Sequence, residues 1–266
     1  MRDIADAGAL CRTYLEFLRL PCEAIDGPGC RVVRQDATPL VYMANHLQLT
    51  PGATLDPEAV FAFLEAELGH LSHRFVVTVP YCDEVFQAKL VEADFRPMPV
   101  WQGLLKGELR GDAPPECDIR RAVSDEDWAH FDRLVRADHV ESDARMERSV
   151  FTPEVTAQMQ AMRRLGRRDE VHVFLAWEDD APVAFLTSWP GVDGVGMVED
   201  LFTLPNHRQR GLARALIHHC VADARARGAV DVLIGAFHDD TPKNAYAAMG
   251  FETTCLTWEW LKTPTI

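Results

Sequence analysis

The chain has 266 residues, 47% of them hydrophobic, and a formal net charge of -14. That is the composition of a soluble globular protein with enough apolar sequence for one large domain or two ordinary ones. The acidic balance works against nucleic acid and anionic membrane as partners, and it mildly favours a cationic small molecule.

The opening "MRDIADAGALCRTYLEFLRLP" mixes charges into its apolar residues, so it has neither the core of a signal peptide nor the length of a membrane span. A cytoplasmic protein is expected. Its seven cysteines (11, 22, 30, 82, 117, 220, 255) are odd in number and lack CxxC or CxxH spacing. They read as free thiols, with no metal site and no disulfide framework.

"GELRGDAPPEC", from 107 to 117, is rich in Gly, Pro and charge between patterned apolar stretches, and it marks a linker. The cut falls there, giving domains 1–110 and 111–266. The second part starts with a strand from Asp118 to Val123. Ser124 with Asp127 three residues on is an N-cap with an acidic first turn, opening a helix through about Val140. Another helix is expected from Pro153 to Leu165. "VHVFLAW" and "PVAFLTSW", separated by "EDDA", form an antiparallel hairpin of β-branched and aromatic residues. A strand from Val195 to Thr203 then runs into "HRQRGLARAL". From Arg210 to Arg227 the apolar residues Leu212, Leu216, Cys220 and Ala224 recur at helical spacing, and Gly228 ends the helix. "VDVLIGAF" is a nearly continuous apolar strand, buried on both faces. A short helix over Pro242 to Met249 and a last strand, "CLTWEWL", complete a mixed α/β sheet with helices on both faces.

The first part echoes the second. "EADFRPMPVWQGLLK" and "AMGFETTCLTWEWLK" align through Phe95 and Phe251, an offset of 156 residues, and the same offset pairs "FVVTVPY" with "DVLIGAF". A degenerate duplicate is expected.

Where the strand after Val195 ends and the next helix opens, the first backbone amides of that helix have no intrahelical acceptor and carry the positive end of its dipole. Gly211 lets an anion approach the backbone closely, and Arg208, Arg210 and Arg214 can add charge-assisted contacts. A pyrophosphate suits such a loop. Neither GxxxxGK[ST] nor GxGxxG occurs, so nucleotide hydrolysis and dinucleotide binding are disfavoured.

"VEDLFTLPNHRQRGLARAL", followed after a helix and a buried strand by "YAAMGF", resembles the GNAT superfamily of acyl-CoA N-acyltransferases. The [Q/R]-x-x-G-x-[G/A] signature maps to Arg208, Gly211 and Ala213, and Y-x-x-x-G-F to Tyr246, Gly250 and Phe251. The resemblance covers about residues 118–262. It implies a mixed, mostly antiparallel GNAT sheet and acetyl-CoA, or a related acyl-CoA, as co-substrate. The pyrophosphate would lie on the backbone of Gln209, Arg210, Gly211, Leu212, Ala213 and Arg214, with Arg208 beside it. The pantetheine arm would pair, strand-like, with Leu201, Phe202 and Thr203. Asp239 stands where many members have a cofactor-contacting Asn.

Acyl transfer to an amine needs an unprotonated amine, because an alkylammonium with pKa near 10.4 leaves only about one molecule in a thousand nucleophilic at neutral pH. Strict alternation would put Glu199, Leu201 and Thr203 on one face of the strand and Asp200 on the other. The resemblance assigns the base to Glu199, with Asp200 the alternative, and the general acid to Tyr246. The acceptor implied is a primary amine on a small molecule or peptide. Two other readings fit: a tandem acyltransferase like the mycothiol synthases, and a non-catalytic acyl-CoA-binding regulator. At the 156 offset Tyr246 corresponds to Leu90, and "LTPGATLDPEAV" lacks the arginine signature, so the first half is expected to have lost any acyl-CoA site. The mixed-charge segment Asp138 to Phe151 is either an acceptor loop or plain surface. "RRLGRR", Arg163 to Arg168, is either a helix end or a contact to the cofactor's 3′-phosphate.

Overall fold

The computed structural model describes residues 4–80, 82–147, 149–165 and 169–263. By its contacts the chain divides into one unit of 1–103, 235–245 and 253–266, and a second of 104–234 and 246–252. A single cut at residue 110 does not capture this division, because the last strand belongs to the first unit.

The first unit contains α1 (Ile4–Arg19), β1 (Glu23–Gly27), β2 (Cys30–Arg34), β3 (His46–Leu49), α2 (Pro57–Leu68), β4 (Arg74–Thr78), α3 (Glu84–Glu92), most of β5 (Arg96–Leu105) and, from the far end of the chain, β11 (Glu252–Lys262). Its strands run in the order β1-β2-β3-β4-β11-β5. β1 with β2 and β2 with β3 pair antiparallel, β3 with β4 is parallel, and β11 runs antiparallel to β4 with Glu259 opposite Val77. Gln102 and Trp101 on β5 donate to Thr257 and Thr253 of β11.

The second unit contains β6 (Asp118–Arg121), α4 (Asp125–Arg145), α5 (Pro153–Arg164), β7 (His172–Glu178), β8 (Ala181–Val192), β9 (Val195–Thr203), α6 (Leu212–Ala226), the start of β10 (Asp231–Phe237) and the end of α7 (Pro242–Ala248). Its order is β10-β9-β8-β7-β6, antiparallel except for the parallel β9–β10 pair. The architecture is therefore mixed α/β, mostly antiparallel. Helix α4 opens on the expected capping box, with the Ser124 hydroxyl accepting from Asp127 N–H and Asp127 returning the bond to Ser124 N–H. It extends to Arg145 rather than stopping near Val140. One face of it buries Trp128, Phe131 and Val135 against Val173, Phe185 and Phe202 of the sheet. On the opposite face Ser188 of β8 donates to the Cys220 carbonyl of α6. All seven cysteines are free. Among the described residues no helix is long and apolar enough to cross a membrane, and no cluster of His, Cys, Asp or Glu is arranged to hold a metal.

The 156-residue echo extends to backbone detail. At the end of α3, Phe95 N–H donates to Leu90 C=O at 2.9 Å after Asp94 at φ 63°. At the end of α7, Phe251 N–H donates to Tyr246 C=O at 3.1 Å after Gly250 at φ 103°. The two halves thus share a helix stop as well as a strand pattern.

Glu259 is a buried carboxylate in the first unit, accepting from the Tyr14 hydroxyl at 2.8 Å. Burial raises its pKa to about 7, with the Tyr14 bond working the other way. A raised folded-state pKa means that stability is highest with the group protonated and is lost as pH rises through about 7. Glu259→Gln keeps an acceptor for Tyr14 and removes the charge. Urea unfolding of this variant should show a gain of roughly 1–3 kcal/mol at pH 8 and little change at pH 5; equal behaviour at both values would refute the titration.

Candidate active site

Strand β9 positions the site by departing from regularity. The parallel ladder with β10 ends at Val198–Ile234, whereas the antiparallel ladder with β8 continues to Thr203. Between them the register slips by one residue: Glu199 lies opposite Thr187 but Phe202 lies opposite Phe185. The extra residue forms a bulge around Asp200, which has φ 65°. Strict alternation is therefore overturned. Paired residues share a face, so Glu199 joins Phe202 on the side covered by α4, not Leu201 and Thr203. Asp200 is turned to the same side, because its carboxylate is held by Arg163 of α5 at 3.0 Å.

After Thr203 the chain passes through a single helical turn, Pro205–His207, into the arginine loop. Gln209 and Gly211 both take left-handed backbone conformations, at φ 61° and 82°. Gly211 is the N-cap of α6, with no side chain closing the helix end. Among the described residues nothing accepts a hydrogen bond from the amides of Gln209, Arg210, Gly211, Leu212, Ala213 or Arg214. Alternating left- and right-handed residues before an uncapped helix make a concave anion site. The corresponding helix of the first unit is closed by its own sequence: the Asp56 carboxylate accepts from Glu58 N–H at 3.1 Å, and Pro57 removes another donor.

The three arginines do not point freely at this concavity. Arg208 donates from Nε to the Thr203 carbonyl at 2.9 Å and pairs with Glu141 of α4 at 2.7 Å. Arg210 pairs with Glu178 of β7 at 2.9 Å, and His207 bonds the same carboxylate at 2.6 Å. Arg214 donates to the Arg110 carbonyl at 2.9 Å while its Nε is buried without a partner. The anion-holding capacity therefore rests first on the amides.

The segment read as a linker is a strap along α6. Arg225 near the helix end bonds the Gly107 carbonyl, and Arg110 N–H donates to Met249 C=O at 2.9 Å. Pro115 lies so close to Gly211 that a Cβ there would sit 2.7 Å from its ring.

Tyr246 is buried in this unit with its ring 6.3 Å from that of Phe251. Asp239 occupies an exposed turn after β10, in the other unit. Of the "RRLGRR" segment, Gly166, Arg167 and Arg168 lie outside the described residues; Arg163 is buried and Arg164 pairs with Asp132.

Asp138 on α4 was not singled out by the sequence. It falls seven residues after Phe131, in register with the inward stripe of the helix, and is half-buried. Its pKa is raised to about 6, by burial first and then by the nearby Asp200. His139 beside it bonds Thr156 at 2.8 Å and stacks on Phe151 at 4.2 Å, and burial lowers its pKa to about 4.

This geometry can be set beside known proteins. The family model described as "Acetyltransferase (GNAT) family" matches residues 136–251. These residues form a GNAT acetyltransferase domain. A GCN5-related N-acetyltransferase from Kribbella flavida is 20% identical, with a TM-score of 0.70, over 100% of this chain and 98% of that one. A conserved protein of unknown function from Staphylococcus epidermidis is 14% identical, with a TM-score of 0.69, over 92% and 96%. A tandem GNAT protein from the clavulanic acid biosynthesis pathway is 15% identical, with a TM-score of 0.55, over 98% and 97%. At these identities the likeness is one of fold, and it extends over both halves: the chain has a duplicated, GNAT-like architecture. No curated protein matches the sequence.

Gly211→Ala tests the loop. A Cβ at φ 82° meets both left-handed strain and Pro115, so unfolding stability should drop by about 1–2 kcal/mol. A variant as stable as the parent would contradict the assigned backbone.

Proposed function

We propose that the chain is an N-acetyltransferase that moves an acetyl group from acetyl-CoA to a primary amine of a small molecule or peptide. The observation that carries this reading is the set of unpartnered amides from Gln209 to Arg214 ahead of an uncapped α6, within a GNAT domain. The residues present fit the co-substrate: six clustered donors with no acceptor among the described residues, a glycine where a Cβ would collide, and buried unpartnered atoms at Thr203 Oγ1 and Arg214 Nε. When bound, acetyl-CoA supplies an activated thioester.

In this reading the loop amides and the dipole of α6 hold the pyrophosphate, and the backbone of Leu201, Phe202 and Thr203 pairs with the pantetheine amides. Arg208 and Arg210 trade weak carboxylate partners for phosphate. Glu199 withdraws the amine proton, its backbone fixed by the Thr187 hydroxyl, which donates to the Glu199 carbonyl at 2.7 Å. Asp200 is the less suitable base, because Arg163 holds its carboxylate. Tyr246 donates to the departing sulfur. A phenol of pKa about 10 and a thiol of about 8.5 differ by roughly 2 kcal/mol, so a hydrogen bond that stabilises the thiolate suffices and full transfer is not required.

Two measurements check the reading. Acetyl-CoA should raise the melting temperature, and some amine in a panel of polyamines, aminoglycosides, amino acids and peptides should release free CoA thiol. Stabilisation without thiol release from any amine would leave a binding protein instead. Tyr246→Phe should lower kcat by about 10²- to 10⁴-fold while leaving the thermal response to acetyl-CoA intact; loss of both together would make the residue structural.

A further inference from the structure

Helix α4 carries a defect that packing does not explain. Its inward stripe runs Trp128, Phe131, Val135 and then Asp138, so a half-buried carboxylate follows three core residues in helical register. Across from it lies the bulge carboxylate Asp200, and Arg163 from α5 is bound to Asp200 at 3.0 Å with its guanidinium 5.7 Å over the Phe131 ring. The other charged groups acting on Asp138 are Glu141 and Arg145, on its own helix. Glu141 is committed to Arg208. Among the described residues Asp138 itself has neither a hydrogen bond nor a close ion pair. Arg163 is only 8% exposed, and its Nη1 is buried with no acceptor. A half-engaged guanidinium and an unengaged carboxylate therefore meet in one place. The free Arg163 nitrogen is costly as it stands, since buried donors are normally bonded, and the half-buried Asp138 carboxylate beside it is held away from full solvation. A donor is missing opposite Asp138, and an acceptor opposite Arg163.

Resting on the acetyltransferase reading above, we propose that Asp138 and Arg163 form the acceptor-recognition site, for a primary amine that carries a carbonyl or carboxylate oxygen beside it. Asp138 receives the ammonium, and Arg163 Nη1 donates to the oxygen. An α-amino group of an amino acid or a peptide N-terminus has that arrangement; a plain alkylamine lacks the oxygen, and an N-acylated amino acid lacks the cation. The proton chemistry agrees with this choice. An α-amino group near pKa 8 gives up its proton to the base more readily than an alkylamine near 10.4. The positions also agree, since Asp200 and Glu199 are adjacent on the bulge and Glu199 faces α4. Asp138 is thus a binding residue that collects the ammonium form, which predominates at neutral pH, while proton removal stays with Glu199.

The test uses the full chain, with and without CoA as a non-reacting stand-in for the co-substrate. Glycinamide, propylamine and N-acetylglycinamide are titrated calorimetrically at pH 8. Glycinamide should bind, with the other two weaker by about 10-fold or more. Asp138→Asn should weaken glycinamide by about 10- to 100-fold, the range expected when one charged hydrogen-bond partner is lost, and leave CoA affinity unchanged. Binding of glycinamide should also fade as pH drops through about 6, where Asp138 protonates. A stability arm separates this role from a structural one. With its folded pKa raised above the ordinary value of 3.8, Asp138 makes the ligand-free protein more stable as pH falls from 7 towards 4. Asp138→Asn should remove that trend and raise the melting temperature at pH 8. If all three probes bind alike, if none binds while CoA does, or if Asp138→Asn binds like the parent or melts earlier at pH 8, the inference is overturned while the acetyltransferase reading stands. Failure of CoA itself to bind overturns that reading instead.

Discussion

The one-residue bulge at Asp200 is the constraint on which the site depends. A non-glycine residue in the left-handed region costs about 1–2 kcal/mol, so it persists only where its surroundings over-determine it. Here they do: Arg163 holds the Asp200 side chain, and Thr187 holds the Glu199 carbonyl. The slip in register turns two successive carboxylates towards α4 and α5, where a regular strand would have sent one to each face. It also coincides with the end of the parallel ladder to β10. Below it, β9 is an ordinary core strand flanked by partners; above it, the strand leads to the loop at the head of α6.

The two halves share one frame and differ at the head of one helix. Both retain the parallel strand pair, the helix that joins its strands and the same helix stop 156 residues apart. They differ where an anion would be held. In the first unit Asp56 and Pro57 satisfy or delete the donors at the head of α2, and a carboxylate there repels a phosphate. In the second, Gly211 provides no cap, and the donors stay available. The difference costs the second unit a stabilising cap, typically worth about 1 kcal/mol, a loss that fits a helix end kept open for a ligand.

Most elements of the second half were legible because they are local. The Ser124 capping box, the hairpin of aromatic and β-branched residues, and the four-residue recurrence from Leu212 to Ala224 are each decided within a few neighbours. The unseen features are relations between distant segments. A bulge belongs to a pair of strands, and nothing in "VEDLFT" by itself announces that its register to β8 slips. The partners of the loop arginines, Glu141 and Glu178, come from other elements altogether. The return of the last strand to the first unit follows from pairing with β4, which no periodicity encodes. Asp138 was available in principle: once α4 is taken as one helix to Arg145, an acid seven residues after Phe131 stands out on its apolar stripe. Ending that helix near Val140 left Asp138 at the edge of a supposed loop.

An acidic chain that gathers arginines in one loop spends them mostly on the loop itself. Arg208 ties it to β9 and α4, Arg210 to β7, and Arg214 to the strap that begins at Gly107. These bonds fix the backbone in a strained conformation before any anion arrives, so that the amides need little reorganisation on binding. The pairs are also of a kind that can be exchanged. Arg210 is 54% exposed in its bridge to Glu178, and such surface pairs are worth about 0–1 kcal/mol. A phosphate arriving at fixed amides could draw such an arginine away at little cost. Arg163 is the opposite case, a buried cation whose partner cannot be given up cheaply, because an unpaired charge would remain. The loop's ion pairs are thus exposed and exchangeable, while the Arg163–Asp200 pair keeps the bulge rigid.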